Sequence, residues 1–357
     1  MSEVPTNAKA VREDDAFDVE AVHTWLTRQV PDLADFAVPP TVRQFVGGAS
    51  NLTYLLSYPG RDLILRRPPA GTKAGSAHDM AREFRVQQQV AGQFPLVPHV
   101  VALCQDESVL GADFYVMDRI AGTILRANLT GSQHLSPDQA RALCEAMIDV
   151  LVRLHSVDVE AAGLAALGKG PGYVKRQVTG WSERYRAART WNVPRGEKVM
   201  RWLAERMPED VGYCLIHNDF RLDNLVLDDA DLTRPVGVLD WEMATLGDPL
   251  MDLGGSLAYW VEAGDGALMR RIRRQPSNLP GMLTRRQMLE AYASRTGLQA
   301  SDFTFYEVFG LFRLAVIIQQ IYYRYHHKQS TNPAFRNYWL MCGYLIRRCH
   351  KIMREAG

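Results

Sequence analysis

Residues 217–224 read His217-Asn218-Asp219-Phe220-Arg221-Leu222-Asp223-Asn224 and form the densest polar stretch of the chain. The apolar segments on either side, 213–216 and 225–227, have the composition of short strands. A turn at Asp228-Asp229 leads to a third apolar segment, 236–239. We therefore expect 225–227 and 236–239 to pair as an antiparallel hairpin that follows the polar loop.

This hairpin predicts a site for a hard cation. In such a hairpin, the residue that enters the first strand lies beside the residue that leaves the second, which makes Asn224 and Asp240 neighbours. Amide and carboxylate oxygens suit Mg²⁺. Asp219 lies on the same loop and can supply a carboxylate near the metal that accepts a proton. The alternative is an Asx-rich loop that only caps its own backbone.

The first third of the chain alternates short strands with turns. Strands are predicted over 41–45, 52–58 and 63–67, separated by Gly47-Gly48 and Pro59-Gly60, and this order predicts an antiparallel meander. Residues 1–17 are polar and are expected to be frayed. The other elements predicted here are helices over 18–30 and 78–92 and strands over 100–104 and 114–119.

The pattern changes to helices from about residue 121. Apolar residues at helical spacing predict helices over 139–155, 175–191, 195–207, 250–262, 285–296, 302–328 and 333–354. Strands that come first and helices that follow predict an α+β protein of two lobes. We place the lobes at 1–120 and 121–357, with a hinge near 118–122.

Composition limits the function classes. The 357 residues are 47% hydrophobic and 23% charged, as in ordinary globular proteins, which excludes a disordered chain or a disulfide scaffold. Five scattered cysteines indicate a reduced, cytoplasmic protein. The acidic N-terminus fits neither a signal nor a transit peptide. The apolar stretch 311–321 contains Arg313, Gln319 and Gln320, and we expect no membrane span there.

The charge is distributed unevenly, although the net charge is only +1. Residues 253–357 hold 15 basic and six acidic side chains, whereas residues 1–252 hold 26 and 34. A basic C-terminal third suggests an anionic partner for that part, with no reason to expect nucleic acid. The alternative is that these charges only solvate helices. The oligomeric state is left open.

Glu83 is a candidate for a buried ion pair. At 100° per residue it falls on the same side of its predicted helix as Met80, Gln87 and Val90, which form the inward face. A carboxylate there needs a cationic partner. The expected donor is Arg66, at the end of the third strand.

The polar loop also resembles a known family. The pattern His217-x-Asp219-x-x-x-x-Asn224, followed by Asp240 at a strand end, resembles the catalytic and metal loops of kinase-like phosphotransferases. Within them it is similar to the aminoglycoside phosphotransferases, although Asn218 stands where that family usually has Gly. The Phe220-Arg221-Leu222-Asp223 run resembles the subgroup that includes the kinase-like domain fused ahead of acyl-CoA dehydrogenases. Matching segments run from about residue 47 to residue 257.

The resemblance implies a protein-kinase-like fold, with an antiparallel-sheet N-terminal lobe that binds nucleotide and a mainly helical C-terminal lobe that binds the acceptor. It implies that Asp219 is the catalytic residue and that Asn224 and Asp240 are magnesium ligands. His217 and Asp252 match residues that brace the catalytic loop.

For ATP, the resemblance implies phosphate contacts from the glycine-containing loop between two strands, Gly47, Gly48, Ser50 and Asn51. Arg66 takes the place of the usual lysine that holds the α- and β-phosphates and pairs with Glu83. Met117 and Ile120 fall in the segment whose backbone meets adenine. The alternatives are that Gly47-Gly48 is only a turn and that Met117 is ordinary core.

These features predict a small-molecule kinase that uses ATP and Mg²⁺ to phosphorylate a hydroxyl group. The basic C-terminal third favours an anionic acceptor such as a hydroxyacyl-CoA. Candidate acceptor-binding residues are Arg270, Arg271, Arg273, Arg274, Arg313 and Arg324. The alternatives are an inactive nucleotide-binding or scaffold module, which Arg66 would favour, and an aminoglycoside- or choline-type kinase.

Overall fold

The computed structural model describes residue 5 and residues 7–30, 38–45, 51–69, 79–130, 133–298 and 303–356. The strands are β1 (Ala8–Lys9), β2 (Thr41–Phe45), β3 (Leu52–Tyr58), β4 (Arg61–Arg67), β5 (Val100–Cys104), β6 (Phe114–Asp118), β7 (Cys214–Ile216), β8 (Leu225–Leu227), β9 (Pro235–Val238) and β10 (Thr245–Gly247). The helices are α1 (Val19–Gln29), α2 (Met80–Val90), α3 (Glu107–Leu110), α4 (Pro137–His155), α5 (Tyr173–Ala187), α6 (Glu197–Glu205), α7 (Pro249–Ala258), α8 (Ala267–Ile272), α9 (Arg285–Thr296), α10 (Thr304–His326) and α11 (Tyr338–Glu355).

The chain forms two compact units, each made of several segments. The first unit contains residues 1–124, 160–164 and 225–244, and the second contains 125–159, 165–224 and 245–357. Among the described residues, the first unit contains a six-stranded antiparallel sheet in the order β1-β2-β3-β4-β6-β5. The predicted meander of β2, β3 and β4 is confirmed.

The two faces of this sheet carry different helices. On one face, Leu63 and Leu65 of β4 pack in a cluster with Leu26 of α1. On the other face, Ile64 packs in a cluster with Met80 of α2. Because side chains alternate along a strand, Arg66 shares the α2 face with Ile64. The sheet therefore presents Arg66 to the helix that carries Glu83.

The N-terminal segment corrects an expectation. β1 pairs with β2, and the Asp15 carbonyl accepts hydrogen bonds from the Tyr54 hydroxyl at 2.7 Å and the Arg67 guanidinium at 2.7 Å. The prediction that residues 1–17 are frayed is therefore wrong for 7–17, because backbone groups there find partners that a polar composition does not reveal. The remaining residues of that prediction, apart from Pro5, lie outside the described part.

The β8–β9 hairpin belongs to the first unit, although it lies far along the chain from the sheet. Its backbone is tied to neighbouring segments where Val238 donates to the Leu96 carbonyl at 2.7 Å, and Thr123 and Leu227 exchange hydrogen bonds of 2.8 Å. The predicted lobe boundary at residue 120 stays a prediction. Packing adds that residues 225–244 associate with the sheet-containing unit.

In the second unit, α10 packs against α7, α11, α5 and α6. Helices α7 and α10 touch backbone to backbone: a Cβ added at Gly310 would lie 2.2 Å from the Gly254 carbonyl oxygen, so only glycine permits this approach. Among the described residues, α10 is the one helix with the length and hydropathy of a membrane span. Because 67% of its most apolar window is buried inside the protein, α10 has the environment of a core helix.

Candidate active site

The loop between β7 and β8 contains the sequence 217–224 and is held by a buried carboxylate from α7. Asp252 accepts hydrogen bonds from the backbone N–H groups of His217 at 2.8 Å and Asn218 at 2.7 Å. The His155 ring lies 3.2 Å from the same carboxylate. Burial alone would raise the pKa of Asp252, but the hydrogen bonds from the His155 ring and the His217 backbone, together with the electrostatic influence of both rings, lower it below the ordinary value. The predicted bracing role of Asp252 is confirmed.

Asn218 adopts a left-handed backbone conformation, with φ of 64°. Asn tolerates this region better than most residues do, which explains how it replaces the usual Gly. Its side-chain oxygen accepts from the Tyr173 hydroxyl at 3.0 Å, and its carbonyl accepts from Arg313 at 2.7 Å. The turn that orients Asp219 is therefore fixed on several sides.

The rest of the loop backbone is also held by side chains of the second unit. The Ser256 hydroxyl of α7 donates to the Phe220 carbonyl, and the Leu222 N–H donates to the Gln275 side chain at 2.8 Å. The His217 ring is fully buried and accepts from the Asp219 N–H at 3.3 Å. His217 thus braces the loop, as predicted.

These contacts present the Asp219 carboxylate at the surface of the second unit. Its side chain is 21% exposed, and its Oδ2 atom lies 3.0 Å from Arg221. The amide nitrogen of Asn224 donates to the Asp219 carbonyl at 2.9 Å and to Oδ2 at 3.1 Å. Because the amide nitrogen faces Asp219, the amide oxygen of Asn224 points elsewhere and can act as a metal ligand.

In the first unit, Arg66 is surrounded by carboxylates. Its guanidinium lies 3.4 Å from Glu83, 3.1 Å from Asp240 and 3.4 Å from Glu242. The predicted Arg66–Glu83 pair is confirmed. Burial raises the pKa of Glu83, and the charge of Arg66 opposes that shift only in part. Three acidic groups around one guanidinium leave an excess of negative charge.

Asp240 occupies a special position beyond the hairpin. In the hairpin, Leu225 of β8 pairs with Val238 of β9. Asn224 is the residue before Leu225, and Asp240 is two residues after Val238. Asp240 has a φ of 69°, a conformation sparsely populated outside glycine. Such strained residues cluster at functional sites. Its side chain is 32% exposed.

Glu242 is a functional candidate that the sequence analysis missed. Its carboxylate accepts from the Asn51 amide at 2.8 Å, and its carbonyl accepts from Arg82 at 3.1 Å. Arg82 also donates to the Ala244 carbonyl. The sequence signal that could have identified Glu242 is its position two residues after Asp240.

The donor set fits magnesium better than a transition metal. In the part of the chain that the structure describes, no group of three or more His, Cys, Asp or Glu side chains could hold a metal unaided. Mg²⁺ needs no such group, because it is usually bound by one or two carboxylates together with substrate phosphates and water. The excess negative charge around Asp240 in the first unit is consistent with that mode.

Comparison with known proteins identifies the family. The model of the APH family, described as the phosphotransferase enzyme family, matches residues 41–289. The chain belongs to this family. The predicted resemblance is confirmed.

Individual family relatives support the same assignment. Acyl-CoA dehydrogenase family member 10 of Mus musculus is 38% identical over 299 residues, which cover 83% of this chain and 28% of the relative. The chain thus spans less than half the length of the curated relatives it matches.

Solved structures show the fold. A Ralstonia eutropha JMP134 protein named as an aminoglycoside phosphotransferase is 30% identical, with a TM-score of 0.79, and the match covers 95% of this chain and 99% of that one. Choline kinase from Cryptosporidium parvum Iowa II is only 12% identical but has a TM-score of 0.63, with 95% and 97% covered. The predicted kinase-like α+β fold is confirmed.

The predicted ATP-binding residues have mixed surroundings. Gly47, Gly48 and Ser50 lie outside the described residues. Met117 is buried in a core cluster with Ile64 and Tyr115, as the alternative interpretation held. Ile120 packs over the backbone of Gly237 on β9, so closely that an added Cβ there would lie 2.5 Å from it. These contacts show why both side chains are apolar and leave their role in adenine binding as a prediction.

Three of the predicted acceptor-binding arginines are tied to other groups. Arg270 donates to the Ala263 and Asp265 carbonyls, and Arg273 donates to the Asn128 side chain at 2.6 Å. Arg313 is buried over the Trp181 ring, with 8% of its surface exposed, and holds the Asn218 carbonyl. Arg313 thus braces the 217–224 loop, and its predicted place on an acceptor surface stays a prediction.

The other three are accessible. Arg271 and Arg324 are exposed on α8 and α10, and Arg274 is exposed just after α8. Of these three, Arg274 lies beside the loop, since its guanidinium is 3.5 Å from the Asp223 carboxylate. The acceptor prediction is therefore strongest for Arg274.

Proposed function

We propose that this APH-family chain transfers the γ-phosphoryl group of ATP to a hydroxyl of an anionic small molecule, with a hydroxyacyl-CoA as the favoured acceptor. The observation that carries the proposal is the fixed Asp219 carboxylate, held by Arg221 and Asn224 on a loop whose backbone is braced by Asp252, Ser256 and Arg313. A loop held at so many points keeps one carboxylate in place, as phosphoryl transfer by positioning requires.

In this proposal, Asp219 accepts a hydrogen bond from the acceptor hydroxyl, aligns its oxygen with the phosphoryl group and takes up the proton as the oxygen is phosphorylated. Arg66 binds nucleotide phosphate through its fork of N–H donors. Asn224 and Asp240 would hold Mg²⁺, which neutralises the charge of the phosphates when bound. Glu83 keeps Arg66 oriented from the α2 side.

The choice of acceptor rests on charge and on relatives. The basic C-terminal third and the arginines beside the catalytic loop favour an anion over a cationic aminoglycoside or choline. Several relatives are named for acyl-CoA dehydrogenase, a name that belongs to the longer proteins and supports a CoA thioester only as a proposal. The cytoplasmic location also stays a proposal.

The test is ATP consumption with purified protein and a panel that contains hydroxyacyl-CoAs, an aminoglycoside and choline. We expect turnover with a hydroxyacyl-CoA and its loss in Asp219→Asn. Turnover with the cationic acceptors alone would overturn the anionic assignment.

One alternative, an inactive module, is favoured by a specific contact. The guanidinium of Arg66 lies 3.1 Å from the carboxylate of Asp240, the proposed metal ligand. A thermal-shift scan separates the two functions. A kinase is stabilised by Mg·ATP in excess of its Kd, because ligand that binds only the folded state adds to its stability. No shift with Mg·ATP and no turnover with any acceptor would favour the scaffold.

A further inference from the structure

Arg126 belongs to the second unit and was not among the residues that the sequence singled out. It lies in the loop segment before α4, and its side chain is 52% exposed. Its guanidinium approaches the Asp223 carbonyl at 3.4 Å and the Asp223 Oδ2 atom at 3.8 Å. Arg126 therefore reaches the same loop that carries Asp219.

Arg274 approaches the same oxygen from another segment. Its guanidinium nitrogen lies 3.5 Å from Asp223 Oδ2, and its side chain is 56% exposed. Asp223 itself is nearly fully buried. Two half-exposed arginine side chains thus converge with their guanidinium groups on one buried carboxylate oxygen, which holds both in place.

A third arginine joins this group to the catalytic carboxylate. Arg221 lies 3.2 Å from Asp223 Oδ1 and 3.0 Å from Asp219 Oδ2, and its guanidinium stacks over the Tyr259 ring at 4.5 Å. The cluster therefore holds three guanidinium groups and two carboxylates. Its excess charge is positive and lies beside Asp219.

The two outer arginines come from segments that are tied to each other. Arg273 donates to the Ala127 carbonyl at 3.2 Å and to the Asn128 side chain at 2.6 Å. This link joins the residues next to Arg126 to those next to Arg274. The Arg273 side chain thus holds the two segments that carry the pair together.

The electrostatics indicate that this pair is under-neutralised. Burial lowers the pKa of Arg126, and although Asp223 opposes the shift, repulsion from Arg274 and Arg221 adds to it. A second anion would relieve that repulsion. Guanidinium groups bind phosphate and carboxylate with paired N–H donors.

We propose that Arg126 and Arg274 form an anion-binding site that receives a phosphate or carboxylate group of the acceptor and so places its hydroxyl near Asp219. This inference rests on the proposed phosphotransferase function and deepens it. The anion has two possible sources: a phosphate of the CoA part of a hydroxyacyl-CoA, or the carboxylate of a small hydroxy acid.

The experiment measures kcat/KM for three acceptors that share one hydroxyacyl group: the CoA thioester, the pantetheine thioester, which lacks the CoA phosphates, and the free hydroxy acid. The proteins are the wild type, Arg126→Gln, Arg274→Gln and their Lys counterparts. Arg286→Gln is the matched control, since Arg286 is an exposed arginine on α9 that pairs only with its neighbour Glu290 in the described structure.

If the site binds a CoA phosphate, each Gln variant loses about tenfold or more in kcat/KM with the CoA thioester, as expected for a charge-assisted hydrogen bond, and less than about threefold with the pantetheine thioester. The Lys variants recover part of the loss, and Arg286→Gln behaves like the wild type. If the site binds a carboxylate, the same loss appears with the free acid alone. Equal losses with all three acceptors would overturn the inference, because the arginines would then only support Asp223.

Absence of turnover by the wild type with every acceptor would count against the proposed function and leave the anion site testable by binding. Calorimetry with CoA and with the free hydroxy acid then serves as the probe. Weaker binding of either in both Gln variants than in Arg286→Gln supports the site, and absence of binding of both to the wild type overturns it.

Discussion

Asp252 and Glu83 are both buried carboxylates, yet their surroundings shift their pKa in opposite directions. Asp252 receives two backbone N–H groups within 2.8 Å and a histidine ring, and its pKa is lowered. Glu83 has one guanidinium at 3.4 Å and an Oε2 atom for which the described structure provides no hydrogen-bond partner, and its pKa is raised. Asp252 has a complete set of hydrogen-bond donors that fixes the loop, whereas Glu83 belongs to an ion pair with incomplete hydrogen bonding.

The two carboxylates therefore have different structural consequences. A carboxylate whose hydrogen bonds are complete stabilises one arrangement of the loop around it. A carboxylate shared loosely with an arginine that also contacts Asp240 and Glu242 leaves that arginine able to exchange partners. We therefore expect the 217–224 loop to be rigid and the Arg66 cluster to rearrange when anionic nucleotide binds.

The largest expected effect concerns the residue that the rigid loop presents. Asp219→Asn keeps the size of the side chain and removes the proton acceptor, so turnover should fall by about 10² or more while folding is retained. Steady-state ATP consumption measures the loss, and Mg·ATP affinity by thermal shift serves as the control. Near wild-type turnover would show that Asp219 has another role.

The next largest effect is expected for Asp252, the buried carboxylate that holds the 217–224 loop. Asp252→Asn replaces a carboxylate that accepts from two backbone N–H groups, and we expect a loss of about 3 kcal/mol in the free energy of unfolding at pH 7. Urea unfolding checks it. Since the folded pKa of Asp252 lies below the ordinary 3.8, the stabilisation is present above that pH and disappears as the pH falls through the folded value. A pH-independent difference between the two proteins would contradict this assignment.

Arg66→Ala tests the looser cluster. The substitution leaves Glu83 buried without its cation, so we expect about 2 kcal/mol of lost stability together with weaker ATP binding. Arg66→Lys should restore much of both, although the forked hydrogen bonding is lost. Thermal unfolding with and without Mg·ATP reports both quantities. Unchanged melting temperature and ATP affinity in Arg66→Ala would place the nucleotide elsewhere, and Arg67, which bonds Tyr54 and Asp15 instead, would be the next residue to change.

The smallest effect is expected for Glu83→Gln. Because the folded pKa of Glu83 is raised above the ordinary 4.5, its contribution to stability is fully present below that pH and declines as the pH rises through the folded value. We therefore expect the free energy of unfolding of the variant to be lower than that of the wild type by less than about 1 kcal/mol at low pH. As the pH rises, the stability of the variant should increase relative to that of the wild type. Urea unfolding across pH should give slopes of opposite sign for Glu83→Gln and Asp252→Asn. Equal slopes would remove the contrast between the two carboxylates.

Sequence patterns were most informative where local chemistry decides structure. The strands at 41–45 and 52–58 and the helix at 285–296 have the predicted bounds, because alternation, glycine turns and a capping pair mark them. The loop that carries Asp219 was predicted from its motif. β1 was missed because two residues form it, and their stability comes from pairing with β2.

Side-chain partners across the chain were harder to foresee. Charge excess predicted Arg313 as an acceptor ligand and did not reveal that it holds the Asn218 carbonyl, since composition does not tell which way a side chain points. Arg126 was missed because its partner, Asp223, is distant in sequence. His155 ends α4, and its contact with Asp252 becomes visible only from the packing within the second unit.

The glycine contact between α7 and α10 bears on how this chain tolerates mutation. Asp252 and Ser256 hold the 217–224 loop from α7, and Arg313 holds it from α10. The distance between these helices is fixed by main-chain atoms at Gly254 and Gly310. A single methyl group at Gly310 would therefore spread the two anchors and misalign a carboxylate that it never touches, whereas exposed arginines around Asp223 can be exchanged without moving either helix. In the proposed function, alignment and acceptor recognition are thus separate, and a change of acceptor would need no change in the frame that aligns the phosphoryl transfer.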